Sequence, residues 1–165
     1  MPNYRRDRTP GATFFITQVT YHRQPWLCRT IARKTLREAI ERVRQKYPFQ
    51  IDAFVLLPDH FHTLWTLPEN DGNCSTRMRL IKTHVTRKIR RILNLEIPET
   101  RSRYERGERN LWQRRFFDRR MRDKREFKNH FDYIHKNPVK HGLCQNPTDW
   151  PYSTIHRFNR NQDPY

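Results

Sequence analysis

Leu57-Pro58-Asp59-His60-Phe61-His62-Thr63-Leu64-Trp65 places two histidines two residues apart in a run of strand-forming types. Neighbouring strand residues face opposite sides, so both imidazoles project one way and Phe61 the other. Two neutral imidazoles on a rigid strand make half of a metal site, while Phe61 anchors that strand in a core. A His-x-His alternation is also ordinary surface polarity. Its meaning depends on whether the chain supplies a third ligand and a nucleophile.

Outward from this run, Pro58-Asp59 forms a tight corner between two strands. Residues 49–57 read as the first, with Ile51, Ala53, Val55 and Leu57 on one face, and residues 60–67 as its hairpin partner. Upstream, Thr13-Phe14-Phe15-Ile16-Thr17-Gln18-Val19-Thr20-Tyr21 follows Pro10-Gly11 and is rich in β-branched and aromatic residues, so it is a strand. Between them, Leu36, Ile40, Val43 and Tyr47 recur at helical spacing over residues 30–47, and Pro48 ends that helix.

Downstream, Ser75 is the expected cap of a second helix with the apolar stripe Met78, Ile81, Val85, Ile89 and Ile92. Its other face carries Arg77, Arg79, Lys82, Arg87, Lys88, Arg90 and Arg91. Residues 94–110, with Pro98 and Gly107, read as a flexible basic excursion. Leu111-Trp112-Gln113-Arg114-Arg115-Phe116-Phe117 is the expected fourth strand. A third helix runs from about Asp123 to Pro138, and residues 146–165 form an irregular tail.

The order β-α-β-β-α-β predicts an α+β, ferredoxin-like split β-α-β fold: an antiparallel sheet with two helices on one face, plus an additional C-terminal helix. Patterning leaves open what covers the second face. The length suits a single domain over residues 1–165, with a basic arm at about 1–11.

Lys and Arg total 34 against 17 acidic residues, a formal charge of +17. Such an excess repels itself unless a polyanion shares the surface, and arginines interleaved with aromatics favour nucleic acid over membrane. Cys28, Cys74 and Cys144 are odd in number and in no paired spacing, which argues against a disulfide framework or zinc knuckle. With neither a signal peptide nor a spanning segment apparent, the expectation is a soluble cytoplasmic protein associated with the nucleoid, monomeric or weakly dimeric, with no membrane partner.

The third helix carries Phe127, Phe131 and Ile134 as a packing stripe, with Tyr133 and Asn137 four apart on the neighbouring face. If that helix crosses the sheet near His60 and His62, Asn137 supplies an oxygen ligand and Tyr133 lies beside the metal. The arrangement suits phosphoryl transfer on DNA: a nearby cation favours the phenolate and neutralises charge growing on the phosphate. Two imidazoles and an amide leave open positions, which suits Mg²⁺ or Mn²⁺ better than closed structural zinc. His130 and His135 read as structural or DNA-facing, and Trp112 and Trp150 as core.

Pro58-Asp59-His60-Phe61-His62 resembles the signature of HUH single-strand endonucleases. Tyr4-Arg5-Arg6, Trp112-Gln113-Arg114-Arg115-Phe116, Asp132-Tyr133-Ile134-His135-Lys136-Asn137-Pro138-Val139-Lys140-His141-Gly142 and Asp149-Trp150-Pro151-Tyr152-Ser153 are similar to the REP-associated tyrosine transposases. The resemblance implies an HUH fold, and a divalent metal held by His60 and His62, with Asn137 in place of the Gln of many relatives. It implies Tyr133 as nucleophile and cleavage of single-stranded DNA at repetitive extragenic palindromes, leaving a 5′-phosphotyrosine and a free 3′-hydroxyl. Phe117 and Arg119 replace a more usual Trp and His, and residues 94–110 look longer than in relatives.

Arg5 and Arg6, in an arm expected to be unfolded, are candidates for reading a groove or a guide sequence beside the hairpin. Lys82, Arg87, Arg114, Arg115, Lys140 and His141 are candidates for phosphate neutralisation. The competing reading is a non-catalytic domesticated protein that binds DNA or RNA hairpins. An RNA module would use Phe14 and Phe116 as stacking platforms, but it leaves His60 and His62 unexplained.

Overall fold

Strands β1 (Thr13–Val19), β2 (Gln50–Leu56), β3 (His60–Thr66) and β4 (Phe117–Arg120) form one sheet in the order β2-β3-β1-β4, every neighbouring pair antiparallel. This is the expected split β-α-β topology. The computed structural model describes residues 5–93, 100–106 and 110–160, excluding the side chains of 159 and 160.

Strand alternation divides the interior in two. Phe14 and Ile16 of β1, with Phe61 and Trp65 of β3, pack against α1 (Thr30–Lys46) and α2 (Cys74–Ile89). Phe15, Val55 and Leu64 point the other way and meet Ile134 of a long later helix, which covers the second face. That helix is the fourth in the chain, after the short α3 (Arg101–Glu105), and spans Lys124–Lys140 as α4. A final short helix, α5, spans Ile155–Arg160.

Several expectations are corrected. A register irregularity between Ile51 and Ala53 turns Ile51 to the α1/α2 side, leaving Ala53, Val55 and Leu57 on the α4 side. The cap of α2 is Asn73, whose side chain accepts from Thr76 N at 3.1 Å; Ser75 lies inside the helix. Arg77 belongs to no solvated face. It is buried, donates to the carbonyls of Tyr47, Pro48 and Asn73, and pairs with Asp71 at 2.8 Å, which satisfies its charge. Ile92 lies beyond the end of α2 and is exposed.

The fourth strand starts at Phe117, six residues later than expected, because burial draws Leu111 and Trp112 into the core ahead of the ladder. Trp112 still forms an isolated bridge with Thr20. Asp123 caps α4 by accepting from Glu126 N at 2.7 Å. Pro138 does not end this helix but sits in its last turn. The end is made by Gly142 N donating to Val139 O (2.9 Å) and Leu143 N to Pro138 O (3.0 Å). This crossed pair needs a left-handed residue, which Gly142 provides at φ 68°.

Of the tail, residues 161–165 lie outside the described residues, and residues 146–160 are not irregular. Leu56 N donates to Tyr152 O and Thr154 N to Phe54 O, both at 2.9 Å, so residues 152–154 cover the outer edge of β2. Of the arm, residues 1–4, including Tyr4, lie outside the described residues, whereas residues 6–11 are docked. A Cβ on Gly72 would lie 2.0 Å from the Arg8 carbonyl oxygen, so this crossing requires glycine. Of the basic excursion, residues 94–99 and 107–109 lie outside the described residues. Within α3, Arg103 is buried, donates to Trp112 O at 3.3 Å and stacks 3.9 Å above the Tyr21 ring. No helix among the described residues is long and apolar enough to cross a membrane.

A Cβ at Gly142 would meet nothing within 4 Å, so Gly142→Ala tests backbone strain alone. It should lower unfolding stability by about 1 kcal/mol, read from the guanidinium chloride midpoint. An unchanged midpoint would refute the role given to this turn.

Candidate active site

On the α4 side of β3, His60 and His62 are nearly buried, at 5% and 6% exposure, with ring centroids 4.9 Å apart. Each ring is held through Nδ1. His60 Nδ1 lies 2.6 Å from Asp59 Oδ1, and a carboxylate there requires that nitrogen to carry the proton. His62 Nδ1 lies 2.6 Å from Thr17 Oγ1, its cross-strand partner. The Nε2 atoms are thereby left for a ligand.

Burial pushes the His62 pKa down to about 3, with nearby His60, His141, Lys140 and Arg23 adding to the effect. His62 is therefore neutral at physiological pH, as metal ligation demands. Burial would raise the Asp59 carboxyl, but hydrogen bonds from His60 and Arg23 outweigh it and hold the group below the ordinary carboxylate range.

Helix α4 delivers the remaining groups. The Tyr133 ring lies 5.3 Å from the His62 ring and 5.9 Å from Phe15, and is 36% exposed. Its phenol thus stands at the rim of the histidine pocket. Lys140 Nζ is 5.0 Å from the Tyr133 ring, and the His141 ring is 5.1 Å from that of His60. Burial, then His60, depresses the His141 pKa.

Asn137, one turn beyond Tyr133, is completely buried, yet neither its Oδ1 nor its Nδ2 has a protein partner. An orphaned buried amide costs roughly 1–3 kcal/mol, and its oxygen is free to accept a ligand. Among the described residues, no three His, Cys, Asp or Glu side chains are grouped to hold a metal ion. Two neutral imidazoles and an unpartnered amide oxygen are donor types that a hard divalent cation accepts.

His130 lies one turn before Tyr133 with Nδ1 2.8 Å from Glu126 O and its ring 4.8 Å from Phe15. His135 is buried against Thr154 Oγ1 at 2.9 Å, tying α4 to the tail. Both serve packing. Trp150 donates to Leu56 O at 2.8 Å and packs partly buried against the α4-side core, while Trp112 is fully in the other.

The candidate DNA residues fall into separate groups. Lys140 and His141 adjoin the tyrosine pocket. Arg6, Lys82, Arg87 and Arg114 line a cleft of about 850 Å³ between α2 and residues 112–116, joined there by Arg79, Arg90, Arg103 and Arg106. Arg5 and Arg115 are exposed. Arg6 is also structural. It pairs with Asp118, donates to Phe116 O at 3.1 Å and stacks 3.7 Å over the Phe116 ring. Lys82 donates to the carbonyls of Gln113 and Arg114 at 2.8 and 3.1 Å, fixing the far wall of the cleft.

Sequence reasoning missed Thr17, Arg23 and Asp59. Asp59 could have been found, since it adjoins His60. Thr17 requires the β1/β3 register and Arg23 the fold.

A ferredoxin-like sheet presenting paired imidazoles to a tyrosine-bearing helix defines a class of phosphoryl-transfer protein. The model of the family described as "Transposase IS200 like" matches residues 12–137, so the chain belongs to that family. It is 39% identical to the REP-associated tyrosine transposase of Escherichia coli, over 95% of this chain and 84% of that protein. It is 41% identical to a Haemophilus influenzae protein provisionally given the same name, over 95% of this chain and 87% of the relative. A REP-associated tyrosine transposase solved bound to a REP hairpin superposes with a TM-score of 0.79 at 37% identity, covering 98% of this chain and 87% of the other.

Two buried histidines make stability depend on pH. Burial holds His135 down to about 4 and His62 to about 3, both below the unfolded value of about 6.5. Between these limits the unfolded chain binds more protons, so stability rises with pH and is lost as pH falls below about 6.5. Denaturant midpoints at pH 7.5 and 4.5 should show the fall, and His135→Gln should reduce it. A pH-independent midpoint would contradict this.

Proposed function

We propose that this chain cleaves and rejoins single-stranded DNA beside hairpins of the repetitive extragenic palindrome type, with Tyr133 as nucleophile. One observation carries the reading: the Tyr133 phenol at the rim of the His60/His62 pocket, with the unpartnered amide of Asn137 on the same helix. Relatives that carry the REP-associated tyrosine transposase name over nearly the whole chain, and one of them solved on a REP hairpin, support the choice of substrate.

The basic cleft between α2 and residues 112–116 would hold the hairpin, its arginines neutralising phosphates without reading sequence. The adjoining single strand would pass to Tyr133. The Tyr133 oxygen attacks the phosphorus and loses its proton to solvent. A P–O bond to tyrosine forms as the bond to the 3′ oxygen breaks, and that oxygen takes up a proton. The products are a 5′-phosphotyrosine and a 3′-hydroxyl, and the reverse attack by a 3′-hydroxyl rejoins DNA and frees Tyr133.

Lys140, whose Nζ is 5.0 Å from the Tyr133 ring, would add a positive charge beside the phosphate that Tyr133 attacks. His60, His62 and Asn137 would hold Mg²⁺ or Mn²⁺, which when bound supplies charge neutralisation at the phosphate. The burial of His62 keeps that imidazole neutral and available.

Incubation with Mn²⁺ and an oligonucleotide spanning a hairpin and its flank should give a covalent adduct that mass spectrometry maps to Tyr133. Tyr133→Phe should lower adduct formation at least about a thousandfold while hairpin affinity stays within about twofold. An equal yield from Tyr133→Phe would overturn the residue assignment. Tight binding with no adduct under any divalent metal would favour a binding protein instead.

A further inference from the structure

We propose that Asp59 and Thr17 are positioning residues that fix the rings of His60 and His62, and that Arg23 holds Asp59 in place for this task. The inference deepens the metal-site reading above and rests on it. Asp59 Oδ1 meets His60 Nδ1 at 2.6 Å, while its other oxygen, Oδ2, accepts from Arg23 Nη1 at 3.1 Å. The carboxylate is thus spanned, one oxygen on the imidazole and one on the guanidinium. An acceptor at Nδ1 places the proton there and turns the Nε2 lone pair towards a cation.

The backbone makes the clamp rigid. Thr20 N and Thr20 Oγ1 both donate to Asp59 O, at 2.8 and 3.0 Å. Leu27 N donates to Pro58 O at 3.0 Å, and Leu57 N to His60 O at 2.8 Å. The 20–27 turn therefore grips the β2–β3 corner from both sides. Within it, His22 and Arg23 hold φ values of 50° and 52°, a left-handed pair that non-glycine residues rarely adopt. That turn brings the largely exposed Arg23 side chain back onto Asp59.

Thr17 does the same for His62 from β1. The register pairs the two residues directly, and the hydroxyl lies 2.6 Å from Nδ1. When His62 Nε2 keeps its lone pair, Nδ1–H donates to Thr17 Oγ1. Two ligands are thus held from two different elements, so the site keeps its geometry before any metal arrives.

The test uses the full chain and two independent readouts. The tautomers of His60 and His62 are read by nitrogen NMR in metal-free protein, and Mn²⁺ affinity by calorimetry. Asp59→Ala should lose the Nδ1–H preference at His60 and weaken Mn²⁺ binding about 10-fold or more. Asp59→Asn, whose amide oxygen still accepts, should restore the tautomer and part of the affinity. Thr17→Val, nearly isosteric, should act on His62 alone, and Arg23→Leu should weaken affinity less than Asp59→Ala.

An unchanged His60 tautomer in Asp59→Ala, with Mn²⁺ affinity within twofold of the parent, would overturn the proposal. If Asp59→Ala fails to fold, Thr17→Val and Arg23→Leu decide it by the same criteria. The underlying metal-site reading is tested separately: His62→Ala should abolish Mn²⁺ binding. Undiminished binding there would remove the metal site while leaving the tautomer result to judge the clamp.

Discussion

The antiparallel pairing of β1 with β3 is the constraint on which the rest depends. Its register sets Thr17 against His62 and Val19 against His60, and sends Phe61 to the opposite face. A slip of one residue would bury Phe61 under α4 and turn both imidazoles into the α1/α2 core. That register is held from both sides, by Phe14, Ile16, Phe61 and Trp65 in one core and by Phe15 and Leu64 in the other. The chemistry on one face is thus held in place by apolar packing on the other.

Helix α4 supplies what the sheet cannot. Its Asp123 cap and Gly142 turn set where it begins and ends, and Ile134 seats it on Phe15, Val55 and Leu64. With the helix so placed, Tyr133 comes to the His62 ring, Asn137 is buried, Lys140 lies beside Tyr133 and His141 beside His60. The Tyr133–Asn137 spacing is one helical turn, so the two groups move together and their separation is insensitive to fraying.

Much of this was legible in the chain itself. Period-two alternation around Phe61 gave the orientation of the histidines, and four-residue spacing put Tyr133 and Asn137 on neighbouring turns. Element order gave the topology. Other features were hidden because long-range burial decides them. Arg77 reads as one more charge on a basic helix face, yet it is enclosed by carbonyls of the α1 terminus. Residues 111–117 look like a strand, but Trp112 is worth more in the core than on a ladder. Pro138 looks like a helix stop because local propensity cannot see the Gly142 turn beyond it. The grip of Asp59 and Thr17 on the histidines depends on pairing across 45 residues or on a left-handed turn, neither of which one-letter patterning reveals.

Positive charge is concentrated in the cleft beside α2, where arginines from the arm, α2, α3 and residues 112–116 converge on the opposite side of the sheet from α4. The cleft and the Tyr133 pocket thus lie on different faces of the sheet, with Lys140 and His141 the basic groups on the Tyr133 side. The most direct test is a crystal structure of the Tyr133→Phe protein with Mn²⁺ and a hairpin carrying its single-stranded flank. An anomalous manganese peak is expected between His60, His62 and Asn137, with the residue 133 ring facing a backbone phosphate beside it. A peak elsewhere, or a phosphate path that never approaches residue 133, would contradict it.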